Sequence, residues 1–142
     1  FGPLGEDVHT FGNNGIAQIA ALKQIDIIER DNLLGHVNTL GTYFAEGLFG
    51  LQKIYPCIGD IRQVGLHIGI EFVEDPVTKI PDMVLAQTVK HIAQAMGLIL
   101  GEAGYRMNVL KIKPPFIMTL GEADEVLSIL EAAVQKALQK KK

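Results

Sequence analysis

Two residues in this sequence carry groups suited to holding an anion. Thr10 precedes the Gly/Asn-rich turn Phe11-Gly12-Asn13-Asn14-Gly15, just ahead of a helical pattern. A hydroxyl and a backbone N–H at such a place can both donate to a phosphate or carboxylate. The same turn also reads as an N-terminal cap, in which Thr10, Asn13 and Asn14 satisfy free N–H groups of the helix. Lys111 belongs to Val109-Leu110-Lys111-Ile112-Lys113, whose alternation puts Lys111 and Lys113 on one side and Leu110 and Ile112 on the other. Its ammonium either offers a point charge to a carboxylate or phosphate, or is a solvated strand lysine. Arg62 and Glu71 flank a strand whose alternate positions are apolar, and they read as surface or ion-pair residues. His67 shares their pattern and faces either a cleft or another element. His9 shapes the turn beside Thr10. His9, His36, His67, His91 and Cys57 lack metal-ligand spacing, and the sequence has no Gly-rich nucleotide loop or nucleophile elbow. Metal-based and serine-hydrolase chemistry are therefore set aside.

Positioning these groups falls to the elements that periodicity predicts. Asn14 to Arg30 places Ala17, Ala21, Ile25 and Ile28 on one helical stripe, with further apolar residues on other sides, as in a helix built to be covered. Asp31 and Asn32 are capping candidates for a second helix, in which Val37, Leu40, Phe44, Leu48 and Leu51 recur up to Gln52. Ile58 to Gln63 predicts a short strand. Val64, Leu66, Ile68, Ile70 and Phe72 then alternate with Gly65, His67, Gly69 and Glu71, the two-residue repeat of a half-buried strand. Asp82 caps a third helix with Leu85, Val89, Ile92 and Met96 on one face, and Gly97 stops it. Leu98 to Leu100 and Met107 to Lys113 predict two more strands around a loop from Gly101 to Tyr105. Pro114-Pro115 ends the last strand, and Thr119 with Glu122 forms a capping box for a final helix carrying Val126, Ile129, Leu130, Ala133 and Ala137. The order predicts an α+β fold, a small, mostly antiparallel sheet covered by helices on one face.

Composition narrows the setting. With 142 residues, 48% of them apolar, the chain can bury one core of ordinary size. The net charge is −3, and the basic residues are dispersed apart from Lys140 to Lys142, so a broad cationic face for nucleic acid is not expected. No apolar run approaches the roughly 20 residues of a membrane span. Cys57 is the one cysteine, and a reducing, cytoplasmic setting is expected. Phe1 to Val8 lacks the basic-then-apolar order of a leader, and without a Met the N-terminus reads as a cut.

Four segments go further. His9-Thr10-Phe11-Gly12 before an Ala-rich helix, Ile61 to Glu71 with its Arg62, Gly65, Leu66, Gly69, Ile70 and Glu71, Asn108 to Pro115, and Thr119 with Glu122 occur in one order along the chain. In order and separation they resemble the class III pyridoxal-phosphate-dependent aminotransferases, the ornithine and 4-aminobutyrate aminotransferase-like family. The resemblance spans essentially the whole chain. It implies the C-terminal small domain of a fold-type I pyridoxal-phosphate enzyme, with residues 1–13 the end of the segment that follows the cofactor domain and residues 14–142 the small domain. It further implies pyridoxal 5'-phosphate as the cofactor of the full-length protein, a homodimer, and amino transfer from an amino acid or amine to a 2-oxo acid.

By the same resemblance, Thr10 would bind the cofactor phosphate of the neighbouring subunit, and Lys111 would bind substrate. Many members carry an arginine at the latter position, whose planar fork grips the substrate α-carboxylate through two parallel hydrogen bonds; a lysine cannot copy that geometry. The Leu110 to Pro115 string also resembles the family's phospho-lyases, which eliminate phosphate from aminoalkyl phosphates. Racemisation and a non-catalytic dimerisation or interaction module are the remaining readings. One departure is local: Asn13-Asn14-Gly15 stands where the family usually has Gly-Asn-Pro, so the first-turn proline is missing. The family's Schiff-base lysine and the acid that keeps the pyridine nitrogen protonated both precede the threonine motif. No catalytic residue is therefore expected among residues 1–142, and the chain by itself is not expected to transaminate.

Overall fold

The computed structural model describes residues 14–141. The chain divides into two units, Phe1–Leu34 and Gly35–Lys142. In the first, Asn14 opens helix α1 (Gly15–Arg30) by accepting the N–H groups of Ile16 and Ala17 at 3.0 and 3.3 Å, the cap expected of it. Helix α1 buries none of its residues, and Ile16, Ile19, Leu22 and Ile25 are all exposed. Asp31 does not cap the next helix. Arg30 donates two hydrogen bonds to it, at 2.7 and 2.8 Å, and holds its carboxyl below the ordinary range. Asn32 takes a left-handed φ of 48° that breaks the run between the two helices.

The second unit holds the remainder of helix α2 (Leu33–Ile54) from Gly35, followed by β1 (Ile58–Val64), β2 (His67–Phe72), α3 (Met83–Ala95), β3 (Gly101–Ala103), β4 (Val109–Ile112) and α4 (Leu120–Lys141). The strands lie in the order β1-β2-β4-β3, and every pairing is antiparallel. Their two-residue repeat sorts the side chains cleanly. Ile68, Ile70 and Phe72 are buried in one core with Leu110 and Ile112, against Phe44 and Leu48 of α2, Val89 of α3, and Leu130 and Val134 of α4. The expected α+β layout, with a helix-covered antiparallel sheet, is the one observed.

Two strand boundaries differ from the expectation. The alternation from Val64 to Phe72 is not one strand, because Gly65 turns the chain at φ 55° and Val64 pairs with His67 across a tight hairpin. A glycine in an alternating pattern serves a turn as readily as a strand, and period alone does not separate the two. The strand predicted at Leu98 to Leu100 lies instead at Gly101–Ala103, within the predicted loop, where Gly101, Glu102 and Ala103 pair with Lys111, Leu110 and Val109. Gly101 and Ala103 suggest a loop by composition; here they pair with the larger Lys111 and Val109 of β4.

The helix ends follow the sequence closely. Asp82 accepts the Leu85 N–H at 2.9 Å at the start of α3, and Gly97, at φ 95°, follows its end. The Thr119 hydroxyl accepts the Glu122 N–H at 3.3 Å, while the Glu122 carboxylate accepts the Thr119 N–H at 2.7 Å. Those bonds from Thr119 hold the Glu122 carboxyl below its ordinary range. None of the described helices is long and apolar enough to cross a membrane.

Gly41 sets how closely α2 approaches the β1–β2 hairpin. A Cβ there would lie 2.5 Å from both the Gly65 carbonyl oxygen and the Gln63 Nε2. The Gln63 side chain can move, but the Gly65 backbone is fixed by the hairpin. Gly41→Ala should therefore cost about 2 kcal/mol through overpacking, read as a lower urea midpoint at an unchanged slope. An unchanged midpoint would mean that the helix can back away from the hairpin at no cost.

Candidate functional site

The sheet's other face carries the polar residues. One cross-strand row runs Arg62, Gly69, Lys111, Gly101 through β1, β2, β4 and β3, and the next runs Asp60, Glu71, Val109, Ala103. Antiparallel partners point the same way, so each row lies on a single face. A groove of about 470 Å³ opens on this face, lined by Arg62, Val64, His67, Gly69, Val109 and Lys111 among others.

The two cations of the first row differ in their company. Arg62 donates to Glu71 at 3.0 Å and lies 3.6 Å from an oxygen of Asp60, so of the surface and ion-pair roles expected of Arg62 and Glu71 the structure gives the ion pair. Glu71 also accepts from the Asn108 side chain at 3.2 Å. Asn108, only 3% exposed, places the same amide 2.9 Å from the Phe72 carbonyl and thereby ties the start of β4 to the end of β2. Lys111 has no carboxylate within ion-pair distance among the described residues. Arg62's charge is largely compensated, whereas that of the half-buried Lys111 has no such counter-charge among the described residues.

His67 is exposed and lines the groove; Lys113 is exposed beyond the end of β4. Thr10 and His9 lie outside the described residues. The sequence reading missed Gly69 and Gly101, which flank Lys111 in its row. The signal for Gly69 was its place on the polar side of the β2 alternation; Gly101 carried none, because it read as loop.

These donors fit one anionic group. They do not compose a cradle for a cofactor such as pyridoxal phosphate, which needs a phosphate cage, a carrier amine and an acid for the ring nitrogen to converge. Of the acids on this face, Asp60 and Glu71 both lie against Arg62, and Glu71 also accepts from Asn108.

Residues 2–134 match the family model described as aminotransferase class-III. The chain is 36% identical over 138 residues to the ethanolamine-phosphate phospho-lyase homolog 1 of Caenorhabditis elegans, covering 89% of this chain and 30% of that protein. It is 36% identical over 139 residues to the taurine–pyruvate aminotransferase of Bilophila wadsworthia, covering 94% of this chain and 30% of that protein. A solved aminotransferase of Bacillus anthracis superposes with a TM-score of 0.85 at 33% identity, over 96% of this chain and 32% of that one. The chain thus spans about a third of the length of the proteins it is similar to.

Proposed function

The chain belongs to the class III aminotransferase family, and we propose that it is the C-terminal small domain of a pyridoxal-phosphate-dependent enzyme that moves an amino group from an amino acid or amine to a 2-oxo acid. When bound, that cofactor supplies the electron sink for amino-group chemistry. In this reading residues 14–142 form one wall of the substrate cleft, and Thr10, in the segment 1–13, donates to the cofactor phosphate of a second subunit in a cytoplasmic homodimer. The lysine that carries the cofactor is not among the lysines of this chain. The observation that carries the reading is the agreement of residues 2–134 with the family model, on a helix-covered antiparallel sheet; Lys111, a cation without a carboxylate partner among the described residues, is where the reading seats the substrate's anionic group.

A second outcome on the same scaffold is phosphate elimination. It is favoured by the point charge of Lys111, which attracts a phosphate without needing a carboxylate's fork, and by the similarity to the phospho-lyase homolog. Product analysis of the full-length enzyme decides between the two. Amino transfer requires a 2-oxo acid and yields its amine product, whereas elimination releases inorganic phosphate with no 2-oxo acid present.

The position of the cofactor lysine is tested on the chain itself. Incubation with pyridoxal phosphate and reduction with borohydride should leave only scattered, substoichiometric label on its lysines, while the full-length enzyme takes up one adduct outside this segment. A stoichiometric adduct on a single lysine of the 142-residue chain would overturn the assignment.

A further inference from the structure

Gly101 has no backbone reason to be glycine. It lies in β3 without a left-handed φ, a conformation any residue adopts, and glycine inside a strand weakens it relative to residues with a side chain. What occupies the space of its absent side chain is Lys111. A Cβ on Gly101 would sit 3.1 Å from Lys111 Cε, 3.6 Å from its Cβ and 3.9 Å from its Nζ, so both ends of the lysine side chain lie against this residue. Gly69, the partner of Lys111 on the other side, differs: a Cβ there would meet only Val109 Cγ1, at an ordinary 3.4 Å. The stem therefore leans toward β3 and away from the paired Arg62.

We propose that Gly101 is a positioning residue for Lys111, whose missing side chain is the lane that directs the ammonium to the β3–β4 side of the open face and so fixes where a substrate's anionic group is held. The inference rests on the reading of Lys111 as the anion contact. A valine at position 101 would fill the lane with branched methyl groups while suiting an edge strand well. The lysine stem, a flexible side chain, would be displaced at little cost to the fold.

The experiment titrates the isotope-labelled chain with inorganic phosphate and follows the Lys111 ε-methylene resonances. In the wild type these shift to saturation and show cross-relaxation with the Gly101 α-protons. In Gly101→Val the midpoint should rise about tenfold, the scale of one charge-assisted hydrogen bond lost or misdirected, while the melting temperature stays equal or rises. Gly50→Ala, in α2 outside the groove, where an added Cβ meets nothing within 4 Å, should titrate like the wild type. A Gly101→Val chain that binds phosphate with the wild-type midpoint overturns the proposal, and so does one whose melting temperature falls, since the glycine would then serve the fold. If the wild-type Lys111 resonances do not respond to phosphate at all, the anion-contact reading itself fails and the positioning role goes with it.

Discussion

Replacing Lys111 by methionine in the full-length enzyme should lower kcat/KM for an anionic amino donor by about a hundredfold while leaving the melting temperature nearly unchanged. The asymmetry follows from the structure. Methionine keeps the apolar part of the stem and its contact with Gly101, and Lys111 has no carboxylate partner among the described residues for its removal to strand. What disappears is a charge-assisted hydrogen bond to the incoming anion, worth about 1.5–3 kcal/mol, or one to two powers of ten. A neutral amine donor should lose little. Lys111→Arg then reports the shape of the anion: a carboxylate gains from a planar fork, whereas a phosphate is held by either cation. A loss of equal size for neutral and anionic donors would remove Lys111 from substrate recognition, and no loss with the anionic donor would do the same.

The parts of this site that were legible beforehand are those where a residue type has one dominant use. Asp82, Thr119 with Glu122, and Asn14 each precede a helical pattern and carry an oxygen that can accept a helix N–H, and each does so. Arg62 and Glu71 were legible as surface or ion-pair residues rather than catalysts because the alternate positions around them are apolar. Glycine is where the reading failed. Gly65 makes a turn, Gly69 floors a groove and Gly101 receives a lysine stem, three uses that leave the same letter in the sequence. The distinction lies in what stands on the neighbouring strand, and cross-strand register is not local information. The same limit hid the committed state of Arg62: its two carboxylates are fixed in place only once β1 and β2 are paired in register.

Asp82 should be the most costly polar residue to remove from the fold. Its carboxylate is 4% exposed and has two partners: one oxygen accepts the Leu85 N–H at the start of α3, and the other accepts from Lys141 in the last turn of α4. Asp82→Ala removes the cap and leaves a helix N–H without its acceptor at a buried place, for a loss of about 3 kcal/mol in urea unfolding. The ion pair is the smaller part, because the Lys141 side chain is half exposed and solvent already screens it. Asp82→Asn keeps an acceptor for Leu85 and gives up the charge, and should cost less than about 1 kcal/mol. The pair also has a pH signature. The hydrogen bond to Asp82 raises the Lys141 pKa above its ordinary 10.5, so folding favours the protonated amine. That contribution is complete below pH 10.5 and is lost as pH climbs through the raised folded value. The stability difference between wild type and Asp82→Asn should therefore hold constant through neutral pH and narrow in strong alkali. If Asp82→Asn and Asp82→Ala unfold at the same midpoint, the charge on Lys141 rather than the cap on α3 is what Asp82 provides.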